Sequence, residues 1–142
     1  MAYIDTDFLI ERFGERELLR LTDRSNSGAI VESVIDSSIT DAESVIHSDV
    51  GNRYATPLVE AATTSAIKRA CADITRYRLY DDKCPETVEK RNQEALLFLK
   101  DVSAGRATLG NVDPSGVSTT GEIVTARNAK DRLFSLANME GY

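Results

Sequence analysis

The chain of 142 residues contains no tryptophan, one histidine, two cysteines and three prolines, and only 6% of its residues are aromatic. With so few rings, its hydrophobic core has to be built from leucine, isoleucine, valine and alanine. With a single histidine, the sequence favours neither a histidine-based metal site nor a serine–histidine catalytic pair. The length suits one domain with a core of its own.

The two cysteines and the apolar segments also exclude several classes of protein. Cys71 and Cys84 do not have the spacing of a metal or redox motif, and such isolated thiols fit a reducing compartment. No apolar run is long enough to cross a bilayer, and the first residues, MAYIDTDF, lack the pattern of a signal peptide. We therefore expect a chain that is made and folded in the cytoplasm and has no membrane partner.

The charge is negative, with a formal net value of -6 at pH 7. A general nucleic-acid binder needs a basic face that displaces counterions from phosphates, so this balance argues against that class. The negative excess lies in residues 1–104, whereas residues 105–142 carry equal numbers of acidic and basic side chains.

The spacing of apolar residues predicts helices in the first third of the chain. In TDFLIERFG, Asp5 or Thr6 can cap a short helix that Gly14 ends, and ERELLRLTDR predicts a second short helix. Apolar residues then recur in steps of three and four, which predicts a long helix between residues 29 and 54.

Two further long helices follow. The first is capped by Thr63 or Thr64 and ends at an acidic turn. The second has Cys84 at the cap position and Pro85 in its first turn, and it ends at Gly105. The sequence thus predicts an all-α fold. We expect a small helical bundle with a long central helix, two further long helices and short N-terminal helices.

The composition changes after the last helix to glycine, serine and threonine. We assign residues 1–106 to a helical domain and residues 107–142 to an extended C-terminal arm. This arm is either a linker or a loose β-hairpin with Asp113-Pro114-Ser115-Gly116 at its bend. A long linker is unusual inside a compact domain, which favours an arm that reaches beyond it. Alternatively, the final segment folds back on its own helices. The candidate partner-binding residues are Leu133, Phe134, Leu136, Met139 and Tyr142.

His47 and a cluster of four carboxylates are the candidate sites of chemistry. His47 lies near the end of the long helix, where a surface or cap-proximal role is expected. The densest carboxylates could hold Mg²⁺, but they also suit a solvated turn before a helix N-terminus, where negative charge is favoured. We favour the solvated turn and expect Arg76 and Arg78 to pair with it. These carboxylates are Asp81, Asp82, Glu86 and Glu89.

Basic and aromatic residues alternate in Arg76, Tyr77, Arg78 and Tyr80, a pattern that some single-strand binders use. Tyr77 falls on the apolar face of its helix, so we expect a core residue. Tyr80 and the arginines are expected to bridge neighbouring helices or subunits. No glycine-rich phosphate loop is present. We find no catalytic, metal or cofactor-binding set, and we expect a protein that is not an enzyme and needs no cofactor.

Four segments nevertheless carry a family resemblance. RFGERELLRLTDR, NRYATPL, ITRYRLYDD and ALLFLKDVSAGRATLG occur in this order within residues 1–110. They resemble the phage Mu-type family of small virion proteins of tailed phages and Mu-like prophages, regarded as head–tail connector or head-completion proteins.

The resemblance implies a mostly α-helical adaptor located in the neck of the virion. Copies would form a ring, expected to be a dodecamer, beneath the portal protein. The ring would extend the DNA channel towards a tail, stopper or terminator protein, and DNA would pass through it without specific binding. The resemblance brings no catalytic residues.

Two other hypotheses come from different classes of protein. One is a DNA-packaging or regulatory helper that binds nucleic acid through Lys68, Arg76 and Arg78, with an affinity that falls as salt rises. The other is a metal-dependent hydrolase that uses the acidic turn.

Overall fold

The computed structural model of the chain describes residues 2–110. Five α-helices and one short 3-10 helix make up this part, and it contains no strand. The all-α prediction is confirmed. The predicted arm, with its linker and hairpin alternatives, lies outside the described residues, apart from its first four. None of the described helices has the length and apolar character needed to cross a membrane.

Two short helices begin the chain. Helix α1 spans Thr6–Phe13 and helix α2 spans Glu15–Thr22. The backbone N–H of Phe8 donates to Asp5 Oδ1 at 2.8 Å, so Asp5 is the N-cap. Gly14 separates the two helices with a φ of 90°, a value that residues other than glycine rarely adopt.

The loop after α2 is organised by Asp23. Its carboxylate accepts hydrogen bonds from the backbone N–H groups of Ser27 and Gly28, at 2.8 and 2.6 Å. These bonds hold the pKa of the Asp23 carboxyl below its usual value. The chain is thereby turned towards the start of the next helix, where Val31 N–H donates to Thr22 Oγ1 at 3.2 Å.

Three long helices form the body of the protein. Helix α3 spans Glu32–Val50, α4 spans Ser65–Leu79 and α5 spans Glu86–Ser103. Helix α4 lies between α3 and α5 and packs extensively on both, while α1 and α2 touch the body more sparingly. The 3-10 helix Glu60–Ala62 lies in the connection between α3 and α4.

The core is aliphatic, as the composition predicts. Its largest fully buried side chains come from every helix and from the segment after α5: Leu9, Leu18, Ile35, Ile46, Ile67, Ile74, Leu99 and Leu109. Cys71 is also fully buried, and loss of water around it raises the pKa of its thiol to about 12. The thiol therefore stays protonated at neutral pH and behaves as a small apolar side chain.

Three local predictions need correction. Tyr77 is 37% exposed and is not a core residue. The N-cap of α5 is Pro85, so Cys84 lies one residue before the cap. Helix α3, the first of the long helices, is shorter than the predicted range 29–54, because that range includes residues of the flanking loops that also pack on the core.

The rigid part of the chain continues beyond α5. Gly105 follows the helix with a φ of 81°, and Leu109 is fully buried. The backbone N–H of Leu109 donates to the Tyr54 hydroxyl at 3.2 Å. Residues just past the predicted boundary at 106 thus pack on the helices, while the division into a domain and an arm stays a prediction.

Candidate interaction surfaces

The carboxylates of the acidic turn between α4 and α5 form separate ion pairs at the surface. Asp81 Oδ2 lies 2.6 Å from Arg24 Nη2, and Glu86 Oε1 lies 2.7 Å from Lys90 Nζ. All four side chains are more than 60% exposed. Within residues 2–110, no group of three or more histidine, cysteine or carboxylate side chains could hold a metal ion. The geometry is that of a solvated helix junction.

Arg76 has a different partner from the one predicted. Its guanidinium donates two hydrogen bonds to the Glu17 carboxylate, at 2.7 and 2.9 Å, and lies 4.6 Å above the centre of the Phe13 ring. The Tyr80 hydroxyl donates to the same carboxylate at 3.0 Å. This cluster ties α4 to the N-terminal helices, which confirms that Tyr80 bridges neighbouring helices.

The pairing predicted for Arg78 is also wrong, because its guanidinium lies 3.8 Å from the Asp41 carboxylate on α3. Lys68 is exposed on α4. The nucleic-acid hypothesis relied on these two residues together with Arg76. Since Arg76 is held by Glu17, contact with a phosphate would first have to break a two-point ion pair.

His47 has a structural partner. It lies in the last turn of α3, half-buried, and its Nε2 atom is 2.6 Å from the Tyr3 hydroxyl. The backbone N–H of Leu58 donates to that hydroxyl at 2.9 Å, which leaves the hydroxyl proton free to point at the imidazole ring. Together with Glu43, which accepts a bond from Tyr3 N–H at 2.6 Å, His47 holds the start of the chain on α3.

A pocket of about 230 Å³ opens between α1, α4 and α5. We call it the arginine pocket, because Arg12, Arg69 and Arg91 line it. Its other polar lining residues are Asp73 and Glu94. Asp73 is only 7% exposed, and its Oδ1 atom has no hydrogen-bond partner among residues 2–110. The nearest cation, Arg12 Nη2, is 3.8 Å from Oδ1, which is beyond hydrogen-bond length.

Burial raises the pKa of the Asp73 carboxyl above its usual value, although Arg12, Arg91 and Arg69 act in the opposite direction. The folded chain therefore binds this proton more tightly than the unfolded chain does. Between the two pKa values the folded state holds more protons, so stability falls as pH rises through that window.

We expect Asp73→Asn to remove this pH-dependent contribution. The free energy of unfolding of the wild type, minus that of the variant, should decrease as pH rises from about 4 towards 7. Urea denaturation of both proteins across this range measures the difference. A difference that stays constant, or that grows with pH, would contradict the assignment.

A second depression, of about 460 Å³, lies between the start of the chain and α3. We call it the acidic groove. Its charged lining residues are all acidic: Asp5, Asp7, Glu32, Asp36 and Glu43. Asp5 and Asp7 lie at the beginning of α1, whereas Arg12 of the arginine pocket lies in its last turn. The two charged surfaces are therefore at opposite ends of one short helix.

Few large apolar side chains are exposed in residues 2–110. They are Val59, Leu97 and Tyr77, at 57%, 59% and 37% exposure. Single exposed apolar residues are normal on a soluble surface. The predicted partner-binding residues Leu133, Phe134, Leu136, Met139 and Tyr142 all lie outside the described residues.

Comparison with known proteins agrees with the segments that carry the resemblance. The family model described as "Bacteriophage Mu, Gp36" matches residues 3–127. The chain is also similar to the Mu-like prophage FluMu protein gp36 of Haemophilus influenzae. The two are 25% identical over 113 residues, which cover 80% of this chain and 79% of the relative. Since the family match spans most of the sequence, the chain belongs to the Bacteriophage Mu Gp36 family.

Proposed function

We propose that this protein is a structural component of the virion, a head–tail connector that forms a ring beneath the portal protein and joins the capsid to the tail. The observation that carries the proposal is the family match over residues 3–127, which includes all the described helices and continues past them. A phage protein family and a compact helical body with a charged surface are both consistent with an adaptor.

The helical body is held together by contacts between distant parts of the chain, which suits an adaptor. Its helices are joined by ties between distant parts of the chain, such as Arg76 with Glu17 and Tyr3 with His47. A subunit that keeps its shape can present the same surfaces to every neighbour in a ring, where contacts are heterologous and must close. In this proposal, the arm supplies further contacts through Leu133, Phe134 and the other apolar residues of the last segment.

The acidity of the chain has a use in the proposed channel. Each lysine or arginine contact with phosphate adds a salt-dependent affinity, and a channel through which DNA slides should not hold it. A net charge of -6 per copy repels the duplex. DNA then passes through the ring without specific binding.

Deleting residues 127–142 tests the proposal. We expect a phage that carries the deletion to produce particles without the connector and without infectivity, because the arm no longer contacts its partners. The helical content of the purified chain, measured by circular dichroism, should be nearly unchanged, because residues 2–110 form the helical body.

Particle composition is measured by mass spectrometry of purified virions, and the position of the protein by imaging of the neck. A matched control replaces residues 127–142 with a glycine–serine segment of equal length, which keeps chain length but removes the apolar side chains. Infectious particles with a normal neck from either variant would refute the role of the arm. Detection of the wild-type protein outside the neck would refute the connector role.

A further inference from the structure

We propose that the arginine pocket of one copy binds the acidic groove of the next copy, so that the two surfaces form a head-to-tail contact between subunits. The inference rests on the proposed ring and names the surfaces that build it. It is carried by the geometry of two oppositely charged depressions on one rigid body.

The arginine pocket has more hydrogen-bond donors than acceptors among its charged side chains. Each of its three guanidinium groups carries five N–H donors, and the charged acceptors that line the pocket are the carboxylates of Asp73 and Glu94. Within residues 2–110, the guanidinium groups of Arg12, Arg69 and Arg91 donate no hydrogen bond. A carboxylate that enters from outside can accept two parallel bonds from a guanidinium.

The unpartnered Asp73 Oδ1 supports the same conclusion. It is a buried carboxyl oxygen with no hydrogen-bond partner, an arrangement that costs stability unless a donor approaches it. Arg12, Arg69 and Arg91 line the same pocket as Asp73, so they place positive charge around it. An entering carboxylate lets one guanidinium bridge two carboxylates. Arg12 can then close the 3.8 Å gap to Oδ1.

The acidic groove carries the charge opposite to that of the three arginines. Its lining has five carboxylates and no lysine or arginine, so one groove offers several carboxylates to the three arginines. A copy cannot join its own two surfaces, because α1 separates them by its full length of about 12 Å. The contact is therefore between copies. Since its two halves differ, it is heterologous and can close into a ring.

Charge reversal on the full-length chain tests this pairing. One variant carries Arg69→Glu with Arg91→Glu, the second carries Glu32→Arg with Asp36→Arg, and the third carries all four changes. All four positions are exposed, so the fold should persist, and circular dichroism checks that it does. Self-association is measured by analytical ultracentrifugation at roughly 0.1 M and 1 M NaCl, where the Debye lengths are about 10 and 3 Å.

We expect the wild type to associate at low salt and to dissociate at high salt. Each two-residue reversal should weaken association by roughly tenfold or more, and the four-residue variant should regain it. An equimolar mixture of the two single-surface variants should also associate, because their surfaces are again complementary. The matched control, Lys68→Glu with Lys100→Glu, changes charge on the same two helices outside the pocket and should associate like the wild type.

Three results would overturn the inference. A wild type that stays monomeric at low salt shows that the surfaces do not pair. Reversed variants that associate like the wild type show that the contact lies elsewhere. The third result combines two observations: deletion of residues 127–142 abolishes association, and reversing the charges of the groove has no effect. The occupant of the pocket would then be the arm. Each result leaves the connector role open, because that role is tested separately on virions.

Discussion

Replacing Leu99 by alanine is expected to lower the free energy of unfolding by about 2–5 kcal/mol. Leu99 is fully buried on α5 within the core that this helix shares with α3 and α4. The substitution removes apolar contacts and leaves a cavity that the surrounding helices cannot fill completely. Urea denaturation followed by circular dichroism gives the change, with the denaturant midpoint moving to a lower concentration at similar slope.

The same helix provides the control. Leu97 is two residues away and 59% exposed, so Leu97→Ala makes the same chemical change without opening a cavity. Its effect should stay within about 0.5 kcal/mol. Equal destabilisation by the two variants would mean that the inward face of α5 has been assigned wrongly.

Replacing Arg76 by alanine is expected to destabilise the fold by about 2–3 kcal/mol, at or just below the lower limit of about 3 kcal/mol for fully buried ion pairs that lose one partner. The Arg76 and Glu17 side chains are 16% and 18% exposed, so solvent screens them only in part. The change leaves the Glu17 carboxylate with less compensation and removes the cation from the face of Phe13. Thermal and urea denaturation measure the loss.

A double-mutant cycle separates the ion pair from the packing of the long side chain. Arg76→Ala, Glu17→Gln and the combined variant should give a coupling energy of about 1–2 kcal/mol. Arg76→Lys should recover only part of the loss, because lysine cannot form the two parallel bonds or stack in the same way. Arg78→Ala is the matched control. The Arg78 ion pair is exposed and 3.8 Å long, so its loss should cost less than about 1 kcal/mol. A coupling energy near zero would contradict the assignment of Arg76.

Much of the fold could be predicted because local signals determine it. Asp5 caps α1, Gly14 and Gly105 adopt positive φ where helices end, and steps of three and four residues mark the inward faces of the long helices. These signals act over one or two turns of chain, so they can be recognised without knowing what packs against them. The aliphatic core follows in the same way from the composition.

The predictions that failed depend on distant partners. Arg76 was expected to pair with the nearby acidic turn, but its partner is 59 residues away in sequence. Tyr77 lies at the edge of an apolar face, and only the positions of the neighbouring helices decide that it stays exposed. Cys84 and Pro85 differ by a single position, which is within the usual uncertainty of a helix end.

The two charged surfaces were not predicted either. The arginine pocket combines residues from α1, α4 and α5, and the acidic groove combines the start of the chain with α3. A weak signal for the pocket is present in Arg69 and Asp73, which are four residues apart on α4. The contributions of Arg12 and Arg91 become visible only when the helices are assembled. The family could be recognised from sequence, whereas the connector role, the ring and the partners stay proposals.

The way in which α1 and α2 are attached also has a consequence for folding. Helices α3, α4 and α5 pack extensively on one another, whereas α1 and α2 touch them more sparingly. The ties that hold the N-terminal pair span 44 residues from Tyr3 to His47 and 59 residues from Glu17 to Arg76. These few ties and the sparse packing hold the N-terminal pair less strongly than the long helices hold one another. We therefore expect the three long helices to associate first. Under mild denaturation the N-terminal pair is the unit that opens before the rest, and its amides would exchange with solvent soonest.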